Sequence, residues 1–143
     1  MLQTMSNLLS YYEIIEKGID SLGIPPASTR GTESGQWDFK RGSATVAVGI
    51  TSSDRFPNGY FYVSSILMNA SDVPVDKKEA FYKTICEMNA SLVNMKLCLN
   101  ENEIQLISNR DATGLDIEEV ATTINSLSYY ADLLDDRLRE SFV

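Results

Sequence analysis

The chain has 143 residues, no histidine and only two cysteines, and both scarcities narrow its chemistry. Histidine is the side chain that most readily exchanges a proton near neutral pH, so acid–base catalysis would depend on shifted carboxylates, lysines, cysteines or tyrosines. Cys86 and Cys98 lie in apolar-periodic segments and lack the Cys-x-x-Cys spacing of redox and metal sites. We therefore expect two buried, reduced thiols, as in a protein of a reducing compartment.

Long apolar runs are also missing. No stretch of about 18 apolar residues could span a bilayer, and the N-terminal segment lacks the basic start and continuous apolar run of a signal peptide. The sequence thus predicts a cytoplasmic protein without membrane contact. Its length fits a single domain, residues 1–143.

Positive charge is scarce as well. Twelve Lys and Arg face 20 Asp and Glu, which leaves a formal net charge of −8. Nucleic-acid binding needs a basic surface that displaces counterions from phosphates. We expect no nucleic-acid partner.

Two long segments have apolar residues at helical spacing. The first begins near Leu2 and ends at Gly23, and its stripe is Leu8, Tyr12, Ile15, Ile19 and Leu22. The last follows an N-terminal cap pair, Asp116 with Glu119, and its stripe is Val120, Ile124, Leu127, Ala131, Leu134 and Leu138.

Between them the period changes to two, which predicts three strands. A two-residue turn at Arg41-Gly42 would pair Phe39 with Ala44 and Trp37 with Val46. The other face of the second strand has only small residues, Thr45, Ala47 and Gly49, which leave space above the backbone.

The third strand, residues 60–68, is apolar on both faces, so we expect it to be covered on both. A middle helix follows, with Asp76 and Glu79 at the spacing of a capping box and a stripe of Phe81, Ile85, Met88 and Leu92.

A hairpin comes after the middle helix. A turn at Glu101-Asn102 would pair Leu99 with Ile104 and Leu97 with Leu106. The fold class is therefore α+β, in the order α-βββ-α-ββ-α, as one two-layer domain.

No catalytic, cofactor-binding or metal-ligating residues are assigned. Glu33 and Asp38 are close in sequence at the start of the first strand, but carboxylates in such a position are usually solvated. The sequence favours a protein that is not an enzyme.

The last helix carries an acidic group that opposes its own dipole: Asp132, Asp135, Asp136 and Glu140. A solvated helix end explains it most simply. A docking surface for a basic partner is the alternative, and a metal site lacks the ligand spacing of a calcium-binding loop.

A diffuse pattern of residue types, similar to that of a known family, runs through several stretches of the chain. These stretches are residues 37–44, 81–89, 96–99 with 104–106, and 130–138. Together with the element order, these stretches resemble the bacterial YbjN-like family. The resemblance implies a fold like that of type III secretion chaperones, an antiparallel sheet flanked by three helices, and association as a homodimer. It implies no functional residues.

The function that the resemblance implies is a non-enzymatic protein-interaction module, chaperone-like or regulatory, that binds an unidentified protein partner. The surfaces expected to contribute are the third strand and the middle helix, with the residues Tyr60, Tyr62, Ile66, Phe81, Tyr82, Ile85 and Met88. Two alternatives are a type III secretion chaperone with a dedicated client, and a protein that binds a small apolar ligand between sheet and helices.

Overall fold

The predicted order of helices and strands is present in the structure, a computed structural model that describes residues 2–143, with side chains from Leu8 onward. The elements are α1 (Leu2–Ser21), β1 (Gln36–Arg41), β2 (Ala44–Thr51), β3 (Tyr60–Asn69), α2 (Lys78–Ser91), β4 (Lys96–Asn100), β5 (Glu103–Asp111) and α3 (Ile117–Phe142). The α+β class and the α-βββ-α-ββ-α order are confirmed.

The five strands form one sheet in the order β1-β2-β3-β5-β4, and every neighbouring pair is antiparallel. Helices α1 and α3 pack on one face of it, against β2 and β3. Helix α2 lies beside β4, where Phe81 contacts Phe142 of α3 edge to face. The result is two layers, with the core between the sheet and the helices.

The predicted stripes form this core. Ile15 and Ile19 of α1 are fully buried, and so are the apolar residues of α3 from Val120 to Leu138 that recur every three or four positions. The sheet contributes alternating residues, as a half-covered sheet should. They include Val46, Val48, Phe61, Val63, Leu97, Ile104 and Leu106.

The two hairpins differ in how well their registers were predicted. Leu97 pairs with Leu106 and Leu99 with Ile104, as expected. In the first hairpin the turn is Gly42-Ser43 and Phe39 pairs with Val46, so the predicted register was wrong by two residues. Gly42 has φ +63°, which fits a two-residue turn that needs glycine at its first central position.

The helix starts also differ. Asp116 caps α3 because its side chain accepts a hydrogen bond from the Glu119 amide at 2.8 Å, as predicted. The predicted capping box of Asp76 and Glu79 is absent. Residues Val75–Lys77 form a single 3-10 turn before α2, and this turn places Lys77, not Asp76, at the N-cap of that helix.

Helices α1 and α3 approach each other closely at Gly18. A Cβ added there would lie 2.5 Å from Cγ1 and 2.7 Å from Cβ of Val120, closer than real Cβ atoms come. Glycine in a helix interior normally lowers stability by about 1 kcal/mol relative to alanine. Its presence here is explained by the contact between the helices.

Gly18→Ala should therefore lower the free energy of unfolding, by about 1–2 kcal/mol, although alanine favours the helix, because overpacking typically outweighs that gain. Urea denaturation followed by circular dichroism measures the change. In the Val120→Ala background, Gly18→Ala should leave the free energy of unfolding unchanged or raise it. An equal decrease in both backgrounds would show that the contact between the helices is not the cause.

Candidate protein-interaction surfaces

The face of the sheet opposite the helices is uncovered in the chain. Strand registers place Tyr60, Tyr62, Ser64 and Ile66 of β3 on this face, between residues of β2 and β5. The expectation that β3 is covered on both sides is therefore wrong for the chain by itself. We call this surface the open sheet face.

Aromatic rings occupy one end of the open sheet face. The rings of Phe56, Tyr60 and Tyr62 lie in a row, with 5.2 Å between the first two centroids and 6.2 Å between the last two. The Tyr60 hydroxyl accepts a hydrogen bond from the Asn109 side chain at 2.6 Å. Partial burial raises the pKa of Tyr62, with a further contribution from nearby Asp38. These rings form an ordered, half-buried platform.

Ile66 is the exposed apolar residue of this face. Its side chain is 55% exposed, whereas Tyr60 and Tyr62 are half-buried. A large exposed aliphatic side chain on the same strand as an aromatic platform, on a sheet face that no helix covers, is typical of a surface that another molecule covers.

The small residues of β2 lie on this open face and not between the sheet and the helices. The Tyr62 ring lies over Gly49, where any Cβ would overlap it. The space that the sequence predicted above Thr45, Ala47 and Gly49 is partly filled by the protein itself. These small residues therefore do not open a ligand cavity between the sheet and the helices.

The middle helix is divided between core and surface. Phe81 is fully buried and Ile85 is 8% exposed, so both side chains belong to the core of the chain, and their assignment to an interface stays a prediction that this burial disfavours. Met88 is half-buried and Tyr82 is 36% exposed. Cys86 is exposed on the same helix, against the expectation of burial, and Cys98 is half-buried.

Of the four acidic residues grouped in the second half of α3, two are engaged within the chain. Asp132 accepts a hydrogen bond from the Ser43 hydroxyl at 2.5 Å and so ties α3 to the first hairpin. Asp135 pairs with Arg139 at 2.6 Å, and Arg139 also donates to the Leu67 carbonyl. Asp136 and Glu140 are exposed.

Each edge of the sheet is occupied by the chain over part of its length. At the β4 edge, the Asn89 side chain accepts from the Leu97 amide at 2.7 Å and donates to the Leu97 carbonyl at 3.0 Å. At the β1 edge, residues 29–31 form a short antiparallel bridge opposite Trp37. An unblocked edge would invite pairing with another strand.

The β1 bridge is held by a charged contact that sequence reasoning missed. Arg30 donates two hydrogen bonds to Glu16 of α1, at 2.7 and 2.8 Å, and the Trp37 indole donates a third at 2.9 Å. These hydrogen bonds, that of Arg30 foremost, hold the pKa of Glu16 below its ordinary value. No local pattern could reveal the contact, because the partners are 14 and 21 residues apart.

No catalytic grouping is apparent in the described part of the chain. Glu33 and Asp38 are both exposed. Among residues 2–143, no three cysteine or carboxylate side chains are close enough together to hold a metal ion. No helix in that range is long and apolar enough to cross a membrane.

Known structures share this architecture. The crystal structure of the ExsC–ExsE complex contains a chain with a TM-score of 0.68 and 14% identity, over 90% of this chain and 93% of that one. A chain of the HopA1–SchA chaperone–effector complex has a TM-score of 0.65 and 14% identity, over 92% of this chain and 97% of that one. A chain of the ExoU–SpcU complex, from the type III secretion system of Pseudomonas aeruginosa, has a TM-score of 0.57 and 10% identity, over 86% of this chain and 93% of that one.

The fold resembles that of type III secretion chaperones. No family model matches the chain, and no curated protein matches its sequence. The chaperone-like fold is thus confirmed by structure, whereas membership of the YbjN-like family stays a prediction.

Glu16→Gln should lower the free energy of unfolding at pH 7 by about 1 kcal/mol, the upper range for a partly exposed ion pair. Because the folded pKa of Glu16 lies below its ordinary value of 4.5, the stabilisation is present above that pH and is lost as pH falls through the folded pKa. Urea denaturation measures the free energy of unfolding of the parent protein and of Glu16→Gln. The difference between these two values should be smaller at pH 3 than at pH 7.

Glu13→Gln is the matched control. The Glu13–Lys17 pair is 3.0 Å long with both side chains largely exposed, so its loss should change stability by a few tenths of a kcal/mol. A Glu16→Gln effect that is equal to this control, or independent of pH, would contradict the assigned role of Glu16.

Proposed function

We propose that this chain is a non-enzymatic protein-interaction module, chaperone-like or regulatory, that binds a protein partner as a homodimer. The observation that carries the proposal is an open sheet face, with Ile66 exposed on the same strand as Tyr60 and Tyr62, in a fold that resembles a chaperone solved with its effector. The missing histidine and the exposed Glu33 and Asp38 favour binding over catalysis.

The partner binds on the open sheet face in this proposal. The occupied part of the β4 edge supports it, because a partner strand could not pair beside Leu97 without displacing the Asn89 side chain. The exposed side chain of Ile66 and the tyrosine rings would supply apolar contact area.

A type III secretion chaperone with a dedicated client is the more specific form of this function. The solved complexes favour it, since HopA1–SchA is a chaperone–effector complex and ExoU–SpcU belongs to a type III secretion system. A client whose stability or export depends on this chain would distinguish a chaperone from a regulator. We propose a cytoplasmic location for either form.

Ile66→Asp should abolish recovery of the partner when the tagged protein is purified from its native host, because a carboxylate would be desolvated in the contact. Mass spectrometry of the eluate measures the loss. Thr122→Asp is the control, since it adds the same charge to an exposed position of α3, outside the open sheet face. Equal recovery with both variants and the parent protein would contradict the assigned face.

The homodimer contact is proposed at the α2–β4 side. Exposed apolar side chains are gathered in this part of the chain: Val75 is 86% exposed, Val93 is 72%, Leu99 is 51% and Tyr82 is 36%. A monomer rarely keeps so many large apolar groups in water on neighbouring elements. Burial against a second copy would remove them from solvent.

Light scattering after size exclusion should give twice the chain mass of 15.9 kDa. Tyr82→Lys combined with Leu99→Lys should give the monomer, because charges would be buried in the contact. Thr122→Lys, on an exposed position of α3, should leave the dimer intact. A monomeric parent protein at concentrations of tens of micromolar would contradict the dimer.

A further inference from the structure

A groove lies between α1 and residues 26–37, on the side of the molecule that carries the β1 edge. Its volume is about 650 Å³. At its base the Tyr12 and Trp37 rings meet edge to face with centroids 5.8 Å apart, and the Tyr12 hydroxyl lies against Gly35. We call this the α1 groove.

The charges around the α1 groove are unbalanced. Four carboxylates and two cations line it: Glu13, Glu16, Asp20, Glu33, Lys17 and Arg30. Arg30 is bound by Glu16, and Lys17 lies 3.0 Å from Glu13. Neither Asp20 nor Glu33 forms an ion pair with any of the side chains that the structure describes.

The groove already holds one guanidinium group. Arg30 is bound through two nitrogen atoms by Glu16 and lies beside the aromatic base, although it belongs to an exposed segment. Planar, bidentate binding of this kind is what a carboxylate offers to arginine in particular. The same surface therefore has the chemistry to bind a second cationic side chain at its free carboxylates.

We propose that the α1 groove binds an extended segment of a partner protein through an arginine or lysine side chain. The free carboxylates of Asp20 and Glu33 attract the cation, while its aliphatic stem packs against the wall of the groove. Charge complementarity selects this occupant, because an acidic segment, a phosphate or a nucleic acid would be repelled. The proposal rests on the proposed function, since the occupant belongs to a protein partner.

Trp37 is the only tryptophan of the chain, so its indole N–H gives a single reporter at the groove. The probe is a capped pentapeptide, threonine-valine-arginine-valine-threonine, whose β-branched residues favour an extended backbone. The matched probe has citrulline for arginine, which keeps the shape and removes the charge. Both are titrated into the ¹⁵N-labelled full chain and followed by NMR.

The arginine peptide should shift the Trp37 indole resonance in a saturable manner, with a dissociation constant of about 1 mM or below, the weak end of specific recognition. The citrulline peptide should bind about tenfold more weakly, since two partly exposed ion pairs are lost. Asp20→Asn with Glu33→Gln should weaken the arginine peptide to a similar extent.

Asp136→Asn with Glu140→Gln is the control, because it removes the same charge from α3, outside the groove. It should leave binding within about twofold of the parent protein. The proposal is overturned by an absent indole shift, by equal binding of the two peptides, or by equal weakening in both double variants, which would indicate general charge attraction.

The proposed function has a separate test. The peptide titration uses no native partner, so its failure would leave recovery of a partner through Ile66 unaffected. Conversely, if no partner is recovered from the host while the indole responds as expected, the groove specificity stands and the proposed function falls.

Discussion

Burial of one face of a five-stranded antiparallel sheet is the constraint on which the rest of the structure depends. The two long helices, α1 and α3, supply the cover, and they meet closely enough at Gly18 and Val120 to leave no room for a side chain. The apolar area removed from water by this single layer dominates the stability of a domain of this size. A partner can therefore contact only the surfaces that this layer of helices leaves uncovered.

The order of elements and the core could be predicted from sequence because both depend on local periodicity. The stripe of α3 and the inner residues of β2 repeat at intervals that only one type of element satisfies. The second hairpin was predicted correctly at its turn. The first was displaced by two residues, since Gly42 is compatible with either place in a two-residue turn, and a shift of two keeps every side chain on its own face.

What the sequence could not reveal depends on contacts between distant residues. Periodicity shows that β3 is apolar on both faces, but not which face the helices cover. Nor does it separate Phe81, which packs against Phe142, from its exposed neighbour Tyr82. The contact of Glu16 with Arg30 and Trp37 joins three segments and has no signature in any of them. Surface chemistry was therefore less predictable than the fold.

The Asn89 side chain that blocks the β4 edge also bears on how the chain folds. Asn89 and Leu97 are only eight residues apart, so closing the loop between them needs no other part of the molecule. The partner strand β5 and the covering helix α3 both follow in the chain. During synthesis, the outward N–H and C=O of Leu97 can thus be satisfied before the inner edge of β4 has a strand to pair with. The helix that precedes β4 thus occupies one backbone position of this strand before β5 has been made.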